Sequence, residues 1–567
     1  MTRELPGREE LARWVDARPR NFYDASAHLR DVLDVHAGVE RREGMEQRLH
    51  DFGAKVATII EPAVASCETH REFPALVAYD GIGRRVDRIE FHPDHERASR
   101  AVWGSGLMAC DTSLGGAFEQ AALFYLLSHV GEGGLACPAV CTVGLSRAIA
   151  NRGPGALSRR YLAGLRARGL DGSLLGSQFL TEVQGGSDVG ANIVVATPDA
   201  ELPGAWRISG EKWFCSVANA DLFAVTARYD AAVDGTRGLG CFLVARTLDN
   251  HAPNGFRIRQ LKDKLGTRGL ASGEIDFDGA LAWPIGAVGD GFHIAVEELL
   301  NTSRWLNAIG STGLMRRAYL EAASFARHRH AFNRSIGSIP IVREQLAMMK
   351  TEEYAALSST MALTGMIDRL DQGLASERDR AVHRFLVNVN KFRTSYVATE
   401  VVHQGIEILG GNGTIEPFSP LPRLYRDAVV YESWEGTHNV LCAQVQRDCA
   451  RMELLDEVVA WTNDELHSSS VLDVAVVQTE LSSCSVQLRN AITNGDAGAG
   501  QVRRLLDRFA QIVQASLLAS ASTRADSVVT GVAQMFVRRH FGDPWAPAQD
   551  AEVDRALGAD LEDADVS

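Results

Sequence analysis

Between residues 406 and 439 the chain reads I-E-I-L-G-G-N-G-T, then L-P-R-L-Y-R-D, then Y-E-S-W-E-G-T-H-N. A helix-like apolar segment is expected to end at Gly410-Gly411-Asn412-Gly413, where glycines let backbone approach a ligand or a second chain closely. About twenty residues later Glu435 stands between Trp434 and Gly436. An indole shields a neighbouring carboxylate from water, and a glycine leaves room for a substrate to approach. Either motif alone is an ordinary helix cap or turn. Their order and spacing carry the information.

At 567 residues the chain is too long for one core, and its length suggests roughly three or four domains. A content of 46% hydrophobic and 23% charged residues is that of a soluble globular protein. No apolar run of about 18 residues exists to span a membrane, and the acid-rich N-terminus lacks the apolar core of a signal peptide. A cytoplasmic protein is expected. The net charge of -14 argues against broad binding to nucleic acid or anionic membranes. Of the nine cysteines, Cys137 and Cys141 form the one close pair, and no second pair completes a zinc site. Buried reduced thiols are expected.

Three textures follow one another along the chain. The first is helical, with 119–130 apolar nearly all round and Leu157, Tyr161, Leu162 and Leu165 recurring at helical spacing. Within it, residues 84–93 alternate apolar and charged and read as a short strand or extended arm ended by Pro93. The second is strand-like, with short alternating runs about ten residues apart, which predicts a small antiparallel sandwich or barrel. The third is helical from Phe292 onward, broken near Gly337, Gly373, Gly410 and Gly495. The acidic, aromatic-free stretch from Leu557 is expected to be a disordered tail.

Taken together, these motifs resemble the C-terminal half of an acyl-CoA dehydrogenase, and L-P-R-L-Y-R followed by W-E-G is closest to the AidB-like branch. The resemblance covers residues 50–450 or so and implies an α+β, mostly α, acyl-CoA dehydrogenase fold. Its domains would be an N-terminal helical domain (1–175), a central antiparallel β domain (176–286) and a helical bundle (287–450). An extra helical region with an acidic tail would follow (451–567).

The resemblance also implies site residues. The segment from Gln178 through T-E-V-Q-G-G-S-D matches the family's T-E-x-x-x-G-S-D loop. Gln178 and Thr181 would serve the flavin of FAD, and Ser187 its pyrophosphate or the thioester side of the pocket. In E-K-W-F-C-S, Phe214 and Ser216 take the places of an aromatic near the flavin and a hydroxyl bonding flavin N5. One of Trp213 and Phe214 is expected to be plain sheet core. Arg329 and Phe332 match the R-x-x-F-G that reaches the FAD of another subunit, with Asn333 in place of the glycine. Glu407, Gly410 and Gly411 would lie near the pyrophosphate, and Thr437 and Asn439 near adenine and its ribose. Glu435 would be the catalytic base, with Arg304, Trp434 and Gly436 in the substrate pocket. Some members place the base just before the arginine matched by Arg304. Here that residue is Ser303, with no carboxylate.

The implied reaction is α,β-dehydrogenation of an acyl thioester, on CoA or a carrier protein, in a homodimer or homotetramer, with the electron acceptor open. Two alternatives stand beside it: a flavin monooxygenase on the same fold, and a DNA-associated protective flavoprotein. Residues 451–567 contain nine arginines, no lysine and eighteen acidic residues, a net of about -9, which makes DNA an improbable partner. The three arginines of 502–513 fall on an amphipathic helix whose apolar face should pack on the core or a sister subunit. No metal site is expected, and the motifs of serine hydrolases, P-loops and Rossmann domains are absent.

Overall fold

A computed structural model of the chain describes residues 6–110, 115–467, 474–522, 527–543, 546 and 548–561. They divide into two compact units, each made of separate stretches of sequence.

The unit comprising residues 59–110 and 132–306 holds the main sheet. Strands β1 (Ala75–Tyr79) and β2 (Arg85–Glu90) form an antiparallel hairpin, so the alternating stretch near residue 84 has a partner that its own pattern did not announce. Pro93 does not close that strand. It opens the helix Pro93–Trp103, at a position where its missing N–H costs nothing.

The main sheet comprises β3 (Gly176–Phe179), β4 (Val195–Pro198), β5 (Trp206–Ser216), β6 (Leu222–Arg228), β7 (Leu239–Ala245), β8 (Phe256–Leu261) and β9 (Ser272–Pro284). Strands β6, β4, β5, β9 and β7 follow one another, and β7 pairs back on β6, closing a five-strand ring. β3 extends from β6 and β8 from β9. The domain is not wholly antiparallel as expected: β3–β6 and β4–β6 are parallel. Long crossovers reach these pairings, and hairpin spacing alone cannot reveal them. Helices Ala136–Arg152 and Gly155–Leu165 bury Leu145, Ile149, Leu157 and Leu165 in one core with Leu222 and Leu243 of the sheet.

The other unit, residues 1–58, 111–131 and 307–567, is helical. The Ala117–Leu127 helix buries every residue but Glu119, as its all-round apolar composition requires. Helices Pro340–Asp371 and Glu377–Leu409 follow one another across a short turn. The second opens with a capping box: Ser376 Oγ accepts from the Asp379 N–H, and Asp379 accepts from the Ser376 N–H.

The C-terminal helices Leu454–His467, Ala475–Thr493 and Asp496–Ser522 belong to this unit. The last buries Val502, Leu506, Phe509 and Val513, and Phe509 meets Phe385 edge-on at 5.2 Å. The expected tail from Leu557 is ordered as far as Leu561. The Asp560 carboxylate accepts from Tyr319 Oη at 2.6 Å and from Lys350 Nζ at 2.8 Å, and this pairing outweighs the segment's polar composition. Residues 562–567 lie outside the described residues. None of the nine cysteines is in a disulfide, and seven are buried. No described helix is long and apolar enough to cross a membrane.

Candidate functional site

In the helical unit, the Glu377–Leu409 helix stops at Gly410, whose φ of 61° and ψ of -144° are backbone that glycine adopts without strain. A Cβ at Gly410 or Gly411 would meet nothing within 4 Å, so this backbone is open. At Gly413 a Cβ would lie 2.4 Å from the Ile406 carbonyl, so only glycine fits. Glu407 accepts from Gln345 Nε2 at 2.9 Å.

Helix Leu421–Ser433 ends one residue before Trp434, whose ring stacks on Tyr431 at 4.9 Å. Glu435 then takes φ 56° and Gly436 φ 103°. A left-handed glutamate is held there by its surroundings. The main holder is Lys391, fully buried on the Glu377–Leu409 helix. Its Nζ donates to the Glu432 carbonyl at 2.9 Å and to the Gly436 carbonyl at 3.1 Å, straddling Glu435.

Three residues before Glu435, the Glu432 carboxyl is pushed above the usual glutamate range by burial, and the Thr399 hydroxyl donates to it. Thr437 caps the next helix in position only, because its hydroxyl makes no capping bond. His438 is buried, and its pKa falls to about 4 through desolvation, with the Lys391 and Arg503 cations adding to the effect.

Arg329 and Phe332 lie at a two-residue hairpin between β10 (His330–Ala331) and β11 (Arg334–Ser335). Phe332 and Asn333 have φ of 52° and 61°, the pair of positive values that a type I′ turn demands. Phe332 is thrust outward, 88% exposed. Arg329 is bound to Glu10 at 3.1 Å, a contact 319 residues away in sequence that no local pattern foretells.

In the β unit, the loop after β3 is pinned by Glu182. Buried, it accepts from Lys212 Nζ at 2.7 Å, from Gln184 Nε2 at 2.8 Å and from the Ile193 N–H at 2.7 Å. A Cβ at Gly186 would strike the Thr181 hydroxyl at 2.8 Å, so the glycine lets the loop close over that side chain. Ser187 is exposed. Gln178 donates to Ser303 Oγ at 2.9 Å, and Arg304 is buried with Nη1 on Asn301 Oδ1 at 3.2 Å.

The expectation that one of Trp213 and Phe214 is core does not hold. Inward positions on β5 go to Lys212 and Cys215, where the register shifts, and Phe214 is 49% exposed. The Lys262 ammonium lies over both rings, at 3.3 and 4.7 Å from their centres. Ser216 receives the Ser177 hydroxyl on its carbonyl, which leaves its own side chain outside that bond.

Thus the E-G-T turn and the residues just after it lie on one face with Lys391 and Arg503, and the hairpin and the G-G-N-G cap carry open backbone or exposed rings. The motifs did not disclose Lys391, Glu182 or Lys212. The available signal was a lysine inside an otherwise buried stretch in the first and third cases, and a T-E followed thirty residues later by E-K in the second.

Comparison with known proteins adds the family. Residues 289–450 match the acyl-CoA dehydrogenase C-terminal domain, 177–280 the acyl-CoA dehydrogenase middle domain, and 15–171 the N-terminal domain of adaptive response protein AidB. The putative acyl-CoA dehydrogenase AidB of Escherichia coli is 32% identical over 66% of this chain and 69% of its own length. The chain belongs to the acyl-CoA dehydrogenase family. The AidB N-terminal domain places it in the AidB-like branch, among acyl-CoA dehydrogenase-like oxidoreductases. Among solved structures, Caenorhabditis elegans ACDH-11 in complex with C11-CoA superposes with TM-score 0.83 at 25% identity, covering 94% of each chain. A Bacillus anthracis acyl-CoA dehydrogenase complexed with FAD shares the fold, with TM-score 0.70 at 22% identity over 93% of this chain and 89% of that one.

Proposed function

We propose that this chain is an FAD-dependent acyl thioester dehydrogenase with Glu435 as its base. Support comes first from the turn that carries Glu435: a strained, half-buried glutamate is fixed by a buried lysine and followed by a glycine at φ 103°. Backbone of this kind costs free energy and persists where geometry matters.

The residues present also fit FAD. Open backbone at Gly410 and Gly411 suits a phosphate, and exposed Phe332 and Phe214 offer apolar faces to flat rings. The Thr437 and Ser187 hydroxyls remain available as donors, with Gln178, Thr181, Ser216, Arg329, Glu407 and Asn439 completing the proposed set. Arg329 would exchange Glu10 for a phosphate, and the Gln345 amide occupies one oxygen of the Glu407 carboxylate.

In the proposed reaction the Glu435 carboxylate takes the α-proton of the thioester. FAD, when bound, would accept the β-hydrogen as hydride at N5. Trp434 and Gly436 shape the approach, and Arg304 is a pocket residue. A hairpin tip as exposed as Phe332, with Ile341 also 74% exposed, supports assembly into a homodimer or homotetramer in which these side chains meet a sister subunit.

The test is anaerobic. Protein purified with its yellow cofactor should release FAD, not FMN, on denaturation. Addition of straight or branched acyl thioesters without NAD(P)H should bleach the flavin. Bleaching only by a nicotinamide, followed by reaction with oxygen, would favour the monooxygenase reading.

Binding to DNA has little support. Arg508 of the C-terminal region is spent on Glu480 at 3.0 Å and on the ring of Phe541, and Arg503 is turned onto Asn439. Fluorescence anisotropy with duplex DNA at about 150 mM salt should show no submicromolar complex. A tight complex that weakens steeply with added salt would restore the DNA-associated reading.

A further inference from the structure

Arg503 lies on the Asp496–Ser522 helix, more than fifty residues beyond the last position that matches the acyl-CoA dehydrogenase C-terminal domain. Its guanidinium nevertheless reaches the segment just after Glu435. Nη1 donates to Asn439 Oδ1 at 3.0 Å, and Nη2 lies 3.5 Å from His438 Nδ1. The aromatic face of Phe392 lies 5.7 Å from the guanidinium carbon. His438 is uncharged at neutral pH, so its Nδ1 is able to accept.

Two consequences follow from elementary hydrogen-bond chemistry. An arginine has only donors, so the side-chain oxygen of Asn439 must face it. The Asn439 amide NH2 is thereby turned away from Arg503 as a donor of fixed orientation. Arg503 itself is exposed and has no carboxylate within ion-pair distance among the described residues, in contrast to Arg508, which has Glu480. An oriented amide donor and the uncommitted hydroxyl of Thr437, backed by a guanidinium that holds the amide in place, together make a surface suited to the polar groups of a nucleotide.

We propose that Arg503 is a positioning residue for the adenosine diphosphate half of FAD, contributed by the C-terminal helical region and acting through Asn439. The inference rests on the FAD reading above. It assigns that region a part in cofactor selection: the region sets how tightly the dinucleotide is held, and has no bearing on the isoalloxazine end.

The experiment uses the full chain, stripped of flavin and titrated with FAD and with FMN while flavin fluorescence is followed. Arg503→Ala should weaken FAD by about tenfold, the loss expected for one charge-assisted contact, and leave FMN affinity unchanged. Arg503→Lys, which retains a cation able to donate to Asn439, should recover most of the FAD affinity. Arg504→Ala, an exposed neighbour, should bind FAD as the wild type does. Asn439→Asp keeps, and by its charge strengthens, the contact to Arg503 but has no amide donor. It should also lose FAD selectively, and it carries the test should Arg503→Ala fail to fold. Equal losses of FAD and FMN, or no loss in Arg503→Ala, would overturn the proposal while leaving the FAD reading intact. A wild-type chain that binds no FAD would overturn both.

Discussion

Glu435→Gln should retain FAD while its rate of flavin reduction by an acyl thioester falls by about three or more decades. Glutamine has the size and hydrogen-bonding reach of glutamate and lacks only its basicity. Lys391 holds the Glu432 and Gly436 carbonyls on either side of position 435, and the substitution leaves both bonds untouched. A fall in rate would therefore report chemistry and not a displaced turn. Glu432→Gln is the matched comparison, because Glu432 is the other carboxyl of this segment and burial raises its pKa. It should keep most of the reduction rate, since its carboxyl is already engaged by Thr399. Stopped-flow absorbance at the flavin band measures both variants. A near-normal rate for Glu435→Gln with a collapse for Glu432→Gln would move the base by one helical turn.

What the sequence disclosed was local. The glycine cap at Gly410, the turn at Phe332–Asn333 and the buried helix at 117–127 each follow from side chains within a few residues of one another. Their backbone preferences were sufficient. What it concealed was carried by partners far apart. Lys391 holds a carbonyl 45 residues away, Arg503 an amide 64 away, and Arg329 a glutamate 319 away. The parallel pairing of β3 with β6 is concealed for the same reason. On β5 alternation failed for a different cause: the register shift between Lys212 and Cys215 turns Phe214 outward in a strand whose composition suggested core. The C-terminal stretch misled by composition alone, because one aspartate bonded to a buried lysine and a tyrosine orders a segment rich in acids.

The largest effect on stability should come from Lys212, whose ammonium is wholly buried and donates to Glu182 at 2.7 Å, the Leu180 carbonyl at 3.1 Å and Thr226 Oγ1 at 3.3 Å. Three acceptors satisfy its three donors. Burial pulls the Lys212 pKa down, and the adjacent Glu182 carboxylate opposes that shift. Lys212→Met removes the cation and leaves the Glu182 carboxylate buried with no counter-charge, at a cost of about 3–5 kcal/mol. The damage should be centred on the loop that Glu182 pins, the one bearing Thr181 and Ser187. Hydrogen exchange of peptides covering β5 and residues 180–194 measures it directly, without requiring the two compact units to unfold as one. Those peptides should exchange orders of magnitude faster in Lys212→Met than in the wild type, and the flavin should be held more weakly. The double variant Lys212→Met/Glu182→Leu tests the cause. With both charges gone, nothing buried is left without a counter-charge, so much of the protection should return even though two hydrogen-bonding groups have been lost. If Lys212→Met exchanges like the wild type, or the double variant is as labile as the single one, the pair does not anchor the loop. The hold on Thr181 and Ser187 would then have to come from the Gly186 turn itself.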